Sequence, residues 1–92
     1  LSTITDFAFG EIWERPGLTE QERALLSLAV VVALNLEEPM KNYIRACLNV
    51  GVPKDKVLEA LLHLSMYVGM PLISRGFAAA NQVLAEREGT HP

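Results

Sequence analysis

The run "ALLSLAVVVAL", Ala24 to Leu34, limits the possible folds of this chain more than any other segment. Only Ser27 interrupts it, and a helix-start signal precedes it. Thr19 stands three residues before Glu22, the spacing of a capping box in which each side chain satisfies a free backbone N–H at the other's position. This predicts a helix from about Glu20 to Asn35. From Ala24 onward it is apolar nearly all round, so it is expected at the centre of the molecule, covered on more than one side. The run is too short to cross a bilayer, and no signal-peptide pattern is visible. A soluble, cytoplasmic protein without membrane contact is the expectation.

The remaining periodic segments also read as helix, and none alternates as a strand would. A first helix is predicted from about Thr5 to Glu14, ended by Pro16-Gly17. Glu37-Glu38-Pro39 has the character of a helix start, and Gly51 of a stop. Pro53 suits the first turn of a fourth helix running to Gly69, and Pro71 restarts the chain in a fifth to about Glu86. The terminal "REGTHP" is expected to fray. Short connections favour antiparallel hairpins. The expectation is an all-α, compact bundle of about five helices, a single domain over residues 1–92. The chain begins with Leu1 rather than Met, which leaves room for an upstream segment.

Half of the 92 residues are hydrophobic, and the mean hydropathy is +0.21. A domain of this size leaves much of its surface in water, so the surplus apolar area calls for a partner, most simply copies of the same chain. The net charge is −3, with acids and bases interspersed, which provides no basic field for nucleic acid. Cys47 is the only cysteine, so an internal disulfide and most zinc sites are excluded. Ile44 and Val50 occupy the positions a dithiol partner would need.

Helical spacing sorts the polar residues. On the third predicted helix Met40, Ile44, Cys47 and Leu48 form the apolar stripe, with Lys41, Asn42, Arg45 and Asn49 opposite. Tyr43 falls at the border, either as a rim tyrosine of the core or a subunit contact, or with its hydroxyl in a polar cavity. On the fourth, Val57, Leu61, Leu64 and Val68 make the stripe, flanked by Ala60 and Tyr67. His63 projects to the other side, four residues after Glu59 and near Leu62 and Met66, which reads as a structural histidine on an intersubunit face. The fifth turns Ile73, Phe77, Ala80 and Leu84 inward and Arg75 out to solvent. Glu11, Arg15 and Arg23 converge on one turn beside Trp13. They form either an ion-paired hinge or a cationic corner able to grip a carboxylate with bidentate hydrogen bonds.

The blocks "DFAFGEIWERPGLTEQER" and "YIRACLNVGVPKDKVLEALLHLSMYVGMP" occur in the order found in the carboxymuconolactone decarboxylase family, which shares the alkylhydroperoxidase D-like fold. This chain resembles that family from Asp6 to about Leu84. The resemblance implies a trimer or hexamer of all-α bundles acting on a small carboxylated substrate. The implied reaction is loss of carbon dioxide from 4-carboxymuconolactone, giving the β-ketoadipate enol-lactone in aromatic catabolism, without a metal or organic cofactor. It implies Arg15 and Arg23 as carboxylate and enolate contacts, Glu11 as an orienting group or proton relay, and Tyr43 as hydrogen-bond donor at the reacting centre. Decarboxylases of the family carry histidine where Tyr43 stands. That departure leaves a second expectation, a relative that binds a small molecule or protein without chemistry. The paired cysteines of the peroxidase branch are absent from the sequence.

Overall fold

The computed structural model describes residues 10–89. Among them are four helices: α1 (Glu20–Ala33), α2 (Glu37–Asn49), α3 (Lys54–Val68) and α4 (Met70–Arg87). These are the second to fifth helices of the sequence reading. Of the expected first helix, residues 5–9 lie outside the described part, and Gly10–Ile12 form a helical turn that ends at Trp13 and Glu14. No strand occurs among the described residues.

Each boundary has a local cause. Thr19 accepts from the Glu22 N–H at 3.0 Å, and Glu22 accepts from the Thr19 N–H at 2.8 Å, so the capping box is closed. Asn35 ends α1 in the left-handed conformation, with φ 59°. Its N–H reaches the Val32 carbonyl and the Leu36 N–H reaches Val31, each at 3.0 Å, which is a Schellman ending. Gly51 ends α2 the same way at φ 97°, with Gly51 bonded to Leu48 and Val52 to Cys47. Val52, the residue after that turn, is then buried.

α1 packs against all three of the other helices. It contributes Ala24, Leu28, Val31 and Val32 to the core, which α2 completes with Met40, Ile44 and Cys47. Val57 and Leu61 enter from α3, and Ile73, Ala79, Ala80 and Val83 from α4. No polar or charged residue among those described is fully buried, so the core needs no internal hydrogen-bond network. α4 is rotated slightly from the expected face. Val83 is buried rather than Leu84, and Phe77 is only half-buried. Gly76 explains the shift: a Cβ there would stand 3.1 Å from a Leu61 methyl, so the absent side chain lets α3 approach closely.

Polar ties set the register. Arg45 reaches Glu86 at 3.1 Å and Arg87 reaches Asn49 at 2.9 Å, so α2 and α4 run in the same direction. Gln21 donates to the Val50 carbonyl at 3.0 Å, joining the start of α1 to the end of α2. Enclosure of α1 is incomplete within one chain. Leu26, Val30 and Leu34 are 56%, 55% and 63% exposed, so this side of the apolar run is open, contrary to burial all round.

Gly51→Ala places a Cβ at positive φ and 3.0 Å from the Gln21 amide nitrogen. It is expected to cost about 1–2 kcal/mol in urea unfolding. Gly17→Ala, with nothing within 4 Å of the new Cβ, is expected to stay within about 0.5 kcal/mol of the parent.

Candidate functional site

The capping box fixes where α1 begins, and that places Arg23 one turn into the helix, over the Trp13–Leu18 turn. Its guanidinium donates to the Arg15 backbone carbonyl at 3.0 Å. The turn is closed from within by Arg15 N–H to the Ile12 carbonyl at 3.2 Å. Trp13 packs against the core and holds the turn down on it. Arg23 is thus a clamp between α1 and the preceding turn, acting on backbone rather than on Glu11.

The clamp leaves one donor unused. Arg23 Nε is buried without an acceptor, a state that costs on the order of 1–3 kcal/mol unless a water or ligand oxygen fills it. Arg15 and Glu11 are exposed, and neither side chain has a polar partner among the described residues. Tyr43 lies half-buried against the core from α2, and its hydroxyl makes no hydrogen bond among the described residues. Arg15 and Arg23 are therefore neighbours, while no hydrogen bond or ion pair among the described residues joins Tyr43 or Glu11 to them. Tyr43 thus sits at the core margin, the border position read from the sequence, and it lines neither concavity described below.

Two concavities lie elsewhere. A groove of ≈ 690 Å³ runs between α1 and α3, walled by Leu18, Leu25, Leu26 and Leu64, with Glu22, Lys56, Glu59 and His63 among its polar residues. His63 is exposed there, its ring tilted against Tyr67 at 5.4 Å between centroids. A smaller cleft of ≈ 160 Å³ lies between the start of α2 and α4, where Lys41 and Arg75 meet Asn35, Glu37 and Gln82 over Met40 and Ala79. Neither is lined by Tyr43, Arg15, Arg23 or Glu11. The sequence reading missed the cleft because it placed Lys41 opposite the apolar stripe of its helix and Arg75 in solvent. Only the α2–α4 contact brings them together, and nothing in the periodicity of either helix announces that pairing.

The chain matches the model of the carboxymuconolactone decarboxylase family over residues 1–82. It belongs to that family. It is 41% identical over 83 residues to the 4-carboxymuconolactone decarboxylase of Acinetobacter baylyi, covering 90% of this chain and 62% of that protein. Identity to the nitrosuccinic acid decarboxylase of Metarhizium robertsii is 35% over 68 residues, or 74% of this chain and 48% of the relative. An uncharacterised 15.0 kDa protein of Paracoccus denitrificans is 32% identical over 82 residues, 87% of this chain and 61% of its own length. The chain thus spans less than two-thirds of each of these relatives.

The middle of α2 carries Tyr43 and, one turn later, Cys47. Cys47 is fully buried, and desolvation raises its thiol from the ordinary 9.0 to about 11. The reactive form is the thiolate, so this thiol is inert at neutral pH. Among the described residues no three His, Cys, Asp or Glu side chains are grouped as metal ligands would be.

At pH 8 iodoacetamide is expected to leave Cys47 unmodified in the native protein and to modify it once urea is added. The raised pKa also has a stability consequence. Unfolded chains ionise the thiol near 9.0 and folded ones only at about 11, so this contribution is complete below pH 9 and is lost as pH climbs to 11. Urea midpoints measured across that window should fall more steeply for the parent than for Cys47→Ala.

Proposed function

We propose that this chain acts as a decarboxylase of a small carboxylated lactone, with 4-carboxymuconolactone as the first substrate to test. The observation that carries the reading is the 41% identity to a 4-carboxymuconolactone decarboxylase over 90% of the chain. A second relative named as a decarboxylase, of nitrosuccinic acid, supports the reaction type over the particular substrate.

The chemistry demanded of the protein is modest. The bond to the departing carboxylate breaks, and its electron pair passes through the ring double bond onto the lactone carbonyl as a dienolate. A proton then returns to the carbon beside that carbonyl, giving the enol-lactone. The substrate is its own electron sink, so the protein must hold carboxylates, stabilise the enolate and deliver a proton. Arg23 carries the donor best placed for an oxyanion, because its Nε is already desolvated and has no acceptor. Arg15, exposed on the adjoining turn, supplies a second guanidinium, and Glu11 orients it or relays a proton. Tyr43 donates its unused hydroxyl to the developing negative charge.

Copies of the chain assemble as a trimer or hexamer in this reading, bringing the Tyr43 and arginine regions into one chamber. The open apolar surface supports it: besides the exposed side of α1, Met66 and Tyr67 on α3 are 70% and 71% exposed. A second reading, binding without turnover, rests on the tyrosine at position 43.

Purified protein is expected to consume 4-carboxymuconolactone, followed by its ultraviolet absorbance. Tyr43→Phe should lower kcat about 10–100-fold, and Arg23→Gln should lower kcat/KM by a similar factor. An inert parent whose Tyr43→His variant gains activity would remove the decarboxylase reading and leave the binding one.

A further inference from the structure

We propose that the cleft between the start of α2 and α4 is a binding site for a small carboxylate, anchored on Arg75. Three observations carry it. Arg75 lines the cleft, and its guanidinium has no hydrogen bond or ion pair among the described residues. Lys41 lines it from the facing helix with a side chain only 12% exposed. Its ammonium donates to Glu38 at 3.3 Å, and its contact with Glu37 at 3.8 Å is too long for a hydrogen bond. An ammonium has three donors, so the sheltered Lys41 head keeps capacity for another oxygen. The floor is apolar, formed by the buried Met40 and Ala79, and Gln82 stands on the rim with an amide that makes no bond among the described residues.

The arrangement selects its ligand. A volume of ≈ 160 Å³ is below the ordinary range of cofactor pockets and accepts only a short molecule. Arg75 presents a planar fork that matches a carboxylate bidentately. Glu37 and Glu38 together outweigh the single charge of Lys41, whereas Arg75 has no carboxylate partner among the described residues, so Arg75 is the unpaired cation that an incoming carboxylate meets. Glu37 competes with an incoming anion, since its long contact is the one that the anion displaces. The short carbon skeleton rests on Met40 and Ala79. This site is separate from the Arg15–Arg23 turn, and its ligand class follows from the side chains themselves rather than from the decarboxylase reading.

The test is calorimetric titration of the intact protein with succinate at low ionic strength, with neutral succinamide as the comparison. Succinate is expected to bind and succinamide not to bind. Arg75→Gln should weaken succinate at least tenfold, Arg75→Lys should recover only part of that loss, and Glu37→Gln should tighten binding severalfold. Arg87→Gln, a cation elsewhere on α4, should leave it unchanged. Absence of succinate binding by the parent, unaltered binding by Arg75→Gln, or equal losses in Arg75→Gln and Arg87→Gln would overturn the site. Decarboxylation is read separately. Succinate binding without turnover leaves the cleft standing and counts against the decarboxylase reading, whereas turnover without succinate binding does the reverse.

Discussion

Burial of the α1 apolar run is the constraint on which the rest of the structure depends. α2, α3 and α4 each pack on that helix, and its Ala24, Leu28, Val31 and Val32 meet core residues from all of them. The capping box at Thr19 and Glu22 sets where the helix starts, so it also sets which residues face inward. The same start positions Arg23 over the preceding turn, where it takes the Arg15 carbonyl. Packing and the arginine corner are therefore consequences of one helix register. The run also carries more apolar surface than the described residues cover, since Leu26, Val30 and Leu34 are exposed. Burying such side chains fully is worth on the order of 1.5–3 kcal/mol each, which favours any arrangement that covers them.

How much of this was legible in the sequence depended on whether the deciding interaction was local. Thr19 with Glu22, the Gly51 stop and the Met40–Ile44–Cys47 stripe each depend on neighbours within two helical turns, and each stands as read. Cys47 was readable as inert for the same reason, because its stripe position implies burial. Inter-helix details were hidden. Gly76 permits the close approach of Leu61 and turns Val83 inward in place of Leu84, and no single-helix pattern specifies that. Lys41 and Arg75 lie thirty-four residues apart in sequence, and a cleft joins them only because α2 and α4 run side by side. The corner of Glu11, Arg15 and Arg23 was half legible: the arginines do meet, but through a backbone carbonyl.

The chemistry proposed for the family reaction asks little of a protein beyond oriented donors in a sheltered place, and this chain has such donors. Arg23 has a desolvated N–H without an acceptor, and Tyr43 has an uncommitted hydroxyl at the core margin. Neither of the two concavities described among these residues brings them together. Both described concavities are bounded by other residues, and the larger one is walled by leucines that lie on the same open apolar side. The proposed association of copies would supply both elements, cover for the apolar surface and a closed chamber, which ties the proposed reaction to the proposed assembly.

Sedimentation equilibrium across micromolar concentrations tests that association most directly. The proposed trimer or hexamer, which would cover the exposed α1 side chains and Met66, predicts a species at three or six times the 10.1 kDa chain mass, shifted toward smaller species by Leu26→Glu or Val30→Glu. A stable 10.1 kDa monomer throughout that range, unaffected by either substitution, would contradict it.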